Sequence, residues 1–360
     1  MKIEYVDGLF IGDETLWERG FGKRVEGRVL LEPEEVLYVA EFFKPKLVNF
    51  ELEDVYAHVS FASWMVFKDW REKGLFAKRD VVVTPQADNL RVYPEQRMSL
   101  DVVLKKGVFF EDVLMSVVND SRAKTLYEQH WFGQFGNYKQ HHRGFLTKYD
   151  VFETLFLLDK GVLALNVSRE RVFELAQKRI PDFASLFTVY TFWRERGYVV
   201  KSGFKFGTHF RIYFPGAKPV GKRVHSKHLL HVFPHHKMLI SEWARTVRVA
   251  HSVRKTFILA IPSSVNRSVD VKPWFLFFRT GSRAHKPNTH PPSFMAFPFF
   301  EDQLIGVEDF AQMLWYSKAH GLPPVLAVVD RESSVTYYTL NLIKTPNSPF
   351  HFCEIEWLRV

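Results

Sequence analysis

A single cysteine, Cys353, in 360 residues leaves no intrachain disulfide framework and no four-cysteine zinc site. That usage fits a reducing compartment. No apolar run is long enough to span a bilayer, and the opening MKIEYVDGLF is too polar for a secretory leader. A cytoplasmic chain with no membrane partner is therefore expected. Acid is scarce where base is dense. Residues 201–260 hold twelve lysines and arginines, seven of the fifteen histidines, and one acid, Glu242. Metal-dependent nucleases gather several carboxylates around their ions, so this stretch argues for no metal and no cofactor.

The local imbalance contributes to a net charge of +9. Such self-repelling charge persists most easily where a polyanion offsets it, which makes nucleic acid the first expected partner and an acidic membrane surface the second. Aromatic side chains interleave the charges in KSGFKFGTHFRIY, a pattern that suits base stacking and equally describes an amphipathic strand. With 46% apolar and 16% aromatic residues the chain has enough material for real cores.

Two phrases recur. FKDWREKGLFAK at 67–78 echoes YTFWRERGYVVK at 190–201, and ETLWERGFG at 14–22 echoes KTLYEQHWFG at 124–133. Amphipathic helical patterns follow the upstream phrases, LLEPEEVLYVAE and FLTKYDVFETLFLLDKG. GYVVKSG, HFRIYF and KHLLHVFP then read as strands, LISEWARTVRVAHSVR as a helix capped by Ser241, and TFILAIP as a central strand. On that helix Trp243, Val247, Ala250 and Arg254 are expected on one side. The fold class expected is α/β, built of mixed α+β units. Each repeated module has a helical N-terminal subdomain and a mixed-sheet catalytic-type subdomain.

A third segment repeats the second half of the module. FLFFRTGSRAHKPNTH at 275–290 parallels FRIYFPGAKPVGKRVH at 210–225, which sets Phe278 where Tyr213 stands and His290 where His225 stands. The position of Lys255 falls near Gly321 after a slip of one residue. Three units follow: 1–118, an N-terminal inactive unit; 119–262, a catalytic unit with helical part 119–185 and nuclease part 186–262; and 271–360, an inactive half-copy.

The loss of phenol and amine from the third segment draws attention to Tyr213, His225 and Lys255. Internal phosphoryl transfer in RNA needs a base for the 2′-hydroxyl, an acid for the departing 5′-oxygen and a cation for the phosphorane. Imidazole suits proton transfer and a lysine ammonium suits charge stabilisation. Tyrosine is a poor base at its ordinary pKa, and a field of lysines and arginines lowers that value. Each residue also has a plainer reading: a ring in a half-buried strand, a surface histidine, and a lysine complementing a helix dipole.

RGYVVKSGFKFGTHFRIY, HSKHLLHVFP and VRVAHSVRKTFILAI together resemble the catalytic domain of archaeal tRNA-splicing endonucleases, most closely over 186–260. The resemblance implies a metal-independent endoribonuclease. It would cut precursor tRNA at bulge–helix–bulge sites and leave 2′,3′-cyclic phosphate and 5′-hydroxyl ends. By motif match Tyr213 becomes the general base, His225 the general acid and Lys255 the phosphate-stabilising cation. Arg248 matches an arginine that clamps a bulge base, with Trp315 a candidate aromatic face for that clamp. Lys205, Arg211 and Arg254 are further candidates for RNA contact. AVVDRESSVTYYTLNLI at 327–343 resembles the family's acidic docking hairpin, with Asp330 and Glu332 facing a neighbouring unit's basic residues. Two chains would supply two active sites, so a homodimer is expected. The alternative is a non-catalytic RNA-binding subunit that positions substrate for another chain; a metal-dependent DNA nuclease is a weaker one.

Overall fold

A computed structural model describes residues 1–79, 90–137, 140, 143–219, 224–233, 236–280, 283–287 and 289–360. Helices and mixed sheets alternate through it. Near the N-terminus, strands Lys2–Val6, Leu9–Gly12, Lys23–Val25, Arg28–Leu31 and Lys46–Val48 form one five-stranded sheet. Strands Leu104–Phe110, Met115–Val118, Gln134–Phe135, Thr147–Tyr149 and Leu163–Leu165 form another. Taken in chain order within each sheet, the third strand lies beside the fourth, then the second, the first and the fifth, in both cases. The second sheet crosses the boundary expected at 118/119. Met115–Val118 pairs with Thr147–Tyr149, and Leu104–Phe110 pairs with Leu163–Leu165.

The same side chains lock both halves. Helix Pro33–Phe43 opens with Glu35, whose carboxylate accepts the N–H groups of Gly22 and Glu32 and receives Lys78 Nζ at 2.8 Å. Helix Val151–Asp159 opens with Glu153, which accepts the N–H groups of Gly133 and Asp150 and receives Lys201 Nζ at 2.5 Å. A carboxylate at a helix N-terminus is favoured by the orphan N–H groups and the dipole there. The tryptophan phrases end helices Phe61–Glu72 and Phe183–Glu195, and Gly74 and Gly197 take the positive φ needed to stop them. Arg71 then caps the carbonyls of Leu75 and Arg19 while lying over Phe21. Arg194 does the same with Tyr198, His130 and Phe132.

The nuclease-type halves merge into one sheet of eleven strands. One side runs Val199–Ser202, Phe210–Tyr213, His228–Val232 and Thr256–Pro262. The other runs Phe275–Thr280, Phe294–Phe300, Pro324–Val329 and Val335–Leu342, with Phe76–Lys78 and the short Arg283–Ala284 both paired to Phe275–Thr280. Strand Phe350–Trp357 joins them, antiparallel both to Thr256–Pro262 and to Val335–Leu342. The segment 271–360 therefore does not stand by itself. Its Phe275, Phe277 and Val325 share a core with Trp70, Val66 and Ile3, and the Trp70 and Phe277 rings stack at 3.7 Å. Such a stack adds on the order of 1 kcal/mol beyond the area it buries.

Helices Ile240–Ser252 and Val307–His320 occupy matching places in the two sides. Glu242 accepts the N–H of Leu239 and Asp309 that of Gly306, so each helix has its cap residue three positions before its acid. Ser241 lies inside the first helix and is not its cap: the cap residue is Leu239, and the first-turn N–H groups of Ile240 and Ser241 donate instead to the Gln303 and Glu301 carbonyls. Trp243, Val247 and Ala250 are buried as expected. Arg254 does not share their face, since the helix ends at Ser252 and Arg254 turns outward with φ of 55°. No helix among the described residues is long and apolar enough to cross a membrane.

Candidate active site

Tyr213, His225 and Lys255 belong to three adjacent strands or the loops leading into them. Ile212 pairs with His228 across an antiparallel ladder, and His228 pairs with Thr256 across a parallel one. One step toward the sheet end, Tyr213 and Lys255 therefore both stand opposite Lys227. The ladder extends that far: Lys227 N–H donates to the Ile212 carbonyl at 3.1 Å, and Thr256 N–H donates to the Lys227 carbonyl at 3.1 Å. His225, exposed, lies two residues before Lys227 in the incoming loop. Residues 220–223 of the basic segment lie outside the described residues.

Lys255 owes its position to the helix stop. Arg254 in the left-handed region lets Lys255 N–H close on the Ala250 carbonyl at 3.0 Å, and the chain then enters its strand. Lys255 Nζ donates to the Ser226 carbonyl at 2.5 Å, which ties it to the residue after His225. Burial, and after it the neighbouring Arg211 guanidinium, hold the Lys255 pKa below the usual lysine range. The ammonium also lies 5.7 Å from the Phe206 ring centroid.

Tyr213 is buried at its strand's end, with Arg211 two residues back on the same face and its guanidinium 5.9 Å from the phenol ring. The side chain packs with Val199, Ala217 and Trp131, and the indole of Trp131 lies 4.8 Å from the tyrosine ring. Sequence reasoning missed Trp131. Its backbone φ is 52°, in the left-handed region that costs a side-chain-bearing residue roughly 1–2 kcal/mol. The one signal available was the WFG in the upstream phrase, where the first copy reads GFG.

The second side of the sheet supplies an internal reference. Val199 pairs with Tyr213 as Phe76 pairs with Phe278, so register sets Phe278 in the tyrosine's place. Met295 pairs with Pro324 as Leu229 pairs with Phe257, which puts Leu322 where Lys255 stands, one residue beyond the expected Gly321. His290 is exposed, with its ring 4.2 Å from that of His285. The matched helix starts give Trp315 the place of Arg248.

Arg248, Arg254 and Lys205 are exposed, Lys205 in the short turn Phe204–Phe206. Trp315 is exposed beside a cavity of about 890 Å³, and its cation partner within the chain is Arg267, 4.5 Å above the ring. Asp330 and Glu332 sit in the turn between Pro324–Val329 and Val335–Leu342. Asp330 accepts the N–H groups of Glu332 and Ser334, each at 2.9 Å, and so folds its own turn, while Glu332 is exposed.

A basic sheet end carrying phenol, imidazole and ammonium groups is equipped to hold a phosphodiester and move protons around it. Residues 183–271 match the family described as tRNA intron endonuclease, catalytic C-terminal domain. The chain is 34% identical over 159 residues to a tRNA-splicing endonuclease of Thermococcus onnurineus, covering 42% of this chain and 86% of that one. It is 38% identical over 123 residues to one from Methanopyrus kandleri, covering 32% and 66% respectively. With a tRNA-splicing endonuclease of Methanococcoides burtonii it shares 33% identity over 162 residues, 43% of this chain and 44% of that relative's length. The chain belongs to the tRNA-splicing endonuclease family.

Proposed function

We propose that this chain is a metal-independent endoribonuclease that excises introns from precursor tRNA at bulge–helix–bulge sites. The observation that carries the reading is the shared strand register, in which Tyr213 and Lys255 both stand opposite Lys227, with His225 two residues away. The Tyr213 phenolate takes the proton of the 2′-hydroxyl, and the freed oxygen attacks the adjacent phosphorus. The bond from phosphorus to the 5′-oxygen breaks as His225, in its imidazolium form, gives that oxygen a proton. Lys255 faces the negative charge on the phosphorane, where a fixed cation is worth most. The ends are a 2′,3′-cyclic phosphate and a 5′-hydroxyl. Glu242, the single acid of the basic segment, supports a metal-free mechanism by its location, at the far end of its helix from Lys255.

Each chain carries one complete triad, since Phe278 and Leu322 replace phenol and amine on the other side. An intron has two boundaries, so two chains are assigned to one substrate as a homodimer. Arg248 clamps a bulge base, Trp315 offers it an aromatic face, and Lys205, Arg211 and Arg254 contact the RNA backbone. The hairpin tip at Asp330 and Glu332 docks on the partner chain's basic surface. The test is incubation of the purified chain with a bulge–helix–bulge RNA in EDTA, followed by end-group analysis. Cyclic-phosphate and 5′-hydroxyl ends are expected. Loss of cleavage in EDTA, or 5′-phosphate ends, overturns the mechanism; RNA binding without cleavage turns the chain into a positioning subunit.

A further inference from the structure

The cavity of about 890 Å³ beside Trp315 has no part in the reaction and lies far from the triad. Pro262 and Ser263 line it at one end of strand Thr256–Pro262, and Lys255 precedes the other end. Those seven residues span roughly 20 Å. One wall is helix Val307–His320. The other is the connector 263–272, by which the chain passes from the catalytic unit to the third segment. That connector is pinned at two points. The Ser263 N–H and hydroxyl both donate to the Pro349 carbonyl at 2.9 Å, and the Ser268 N–H donates to the Glu308 carbonyl at 3.2 Å.

The lining is arranged for an anion. Arg267, Lys272 and Lys318 contribute to it, with no carboxylate beside them and no ion pair to any of the three among the described residues. Unpaired cations around one concavity repel each other, and a bound anion relieves that repulsion. Two of them are held in place. The Arg267 guanidinium lies 4.5 Å from the Trp315 ring centroid, and Lys318 Nζ donates to His351 Nε2 at 3.4 Å. Burial, and after it Lys318, push the His351 pKa down to about 4, so this imidazole is a neutral acceptor at pH 7. A second sign is independent of charge. Only 9% of Gln312 is exposed, yet its amide lines the cavity with no hydrogen-bond partner among the described residues. A buried amide left unpaired is costly, and a polar ligand atom in the cavity would satisfy it. The volume suits a ligand larger than a bare phosphate, and Val265 and Tyr316 give it an apolar wall.

We propose that this cavity binds a nucleotide, with Arg267, Lys272 and Lys318 on its phosphate and the Gln312 amide on a polar group of the same ligand. The site uses no residue of the triad and does not depend on the cleavage mechanism. The same chemistry is offered by a free nucleotide and by a nucleotide within RNA, and the experiment separates these sources.

The full chain is dialysed to equilibrium against radiolabelled AMP, with adenosine and inorganic phosphate as competitors. AMP is expected to bind, and adenosine to compete at least tenfold more weakly than unlabelled AMP. Arg267→Ala and Lys318→Ala each weaken AMP binding about tenfold at unchanged melting temperature, the scale of one lost charge-assisted contact. Lys255→Ala binds AMP as the wild type does. In a second arm, bulge–helix–bulge RNA blocked by a 2′-O-methyl group at the attacking hydroxyl is added to the AMP-loaded chain. Release of AMP assigns the site to a nucleotide of RNA, and simultaneous binding assigns it to a free nucleotide. If AMP does not bind, a tenfold loss of RNA affinity in both Arg267→Ala and Lys318→Ala upholds the site with RNA as its source. AMP and RNA affinities unchanged in both variants overturn the proposal. So does adenosine competing as well as AMP, or AMP binding that Lys255→Ala removes and Arg267→Ala preserves.

Discussion

The two sides of this molecule keep the same skeleton and differ at the sheet end. Lys78, Glu35 and Gly22 on one side repeat Lys201, Glu153 and Gly133 on the other, bond for bond. Trp70 and Arg71 repeat Trp193 and Arg194. Yet Phe278, Leu322 and Gly20 stand where Tyr213, Lys255 and Trp131 stand. The residues held in common are those a buried helix start requires, since a lysine or glutamate in an apolar core persists only when paired. The residues that differ have no such obligation. An ammonium and a strained tryptophan add less to a core than the leucine and the relaxed glycine that stand opposite them, a one-sided difference that the proposed chemistry accounts for.

The sharpest break of this comparison is at the lysine. Lys255→Ala is expected to lower the cleavage rate of a bulge–helix–bulge RNA by about 10²–10³-fold, as for loss of a preorganised charge stabiliser. Leu322→Lys on the other side restores nothing, because Phe278 supplies no base. Equal loss from truncating Leu322 would end the assignment of a working and a non-working side.

Next in size is the shared skeleton. Glu153→Gln strands the buried Lys201 ammonium and should cost about 3 kcal/mol in denaturant unfolding. Glu35→Gln strands Lys78 in the same way and should cost a similar amount. A neutral result on either side would show that the two networks are alike in shape only.

Acid separates the sides again. His209 and His231 stack at 4.3 Å in the triad-bearing half, and their register partners across the molecule are Trp274 and Phe297. Burial pushes His209 down to about 4 and His231 down to about 3, from 6.5 when unfolded. Between those values the unfolded chain binds more protons than the folded one. Stability is therefore full above pH 6.5 and falls as pH drops toward the folded values. Each histidine accounts for on the order of 2 kcal/mol between pH 8 and pH 5. His231→Phe should remove about half of that pair's acid sensitivity, measured as the change in unfolding free energy between those two pH values.

The smallest effect tests the missed tryptophan. Trp131→Gly copies Gly20, relieves the backbone strain and removes the ring beside Tyr213. We expect kcat to fall about tenfold with KM unchanged, the mark of an interaction that matters in the transition state. Trp131→Phe should recover most of the loss. A purely structural role for the indole would lower the melting temperature and leave kcat alone.

Much of this was legible in the linear chain. The phrase around Trp70 and Trp193 announced the repeat because a helix ending on tryptophan, arginine and glycine is a local pattern. The parallel between Phe278 and Tyr213 was likewise visible, since both lie in short runs of alternating residues. Apart from the cap at Ser241 and the face of Arg254, both local, the failures were long-range. Phe76 pairs with Phe278 across some two hundred residues, and no local periodicity encodes such a partner. For that reason 271–360 read as a half-copy in sequence, while its strands lie in a shared sheet, and the boundary expected at 118/119 falls inside the sheet that holds Leu104–Phe110 and Met115–Val118. Trp131 was passed over because its meaning depends on a ring eighty-two residues away.

By itself the sequence determined the elements, the charge of the segment 201–260 and the inventory of reactive groups, because periodicity, capping and composition act between near neighbours. Only the tertiary structure decided that the N-terminal helices are completed by strands from 275–342. It alone decided that strand Phe350–Trp357 joins the two sides, and that its end reaches Lys255. Those outcomes follow from burial of sheet faces and satisfaction of strand edges, which depend on the whole chain at once.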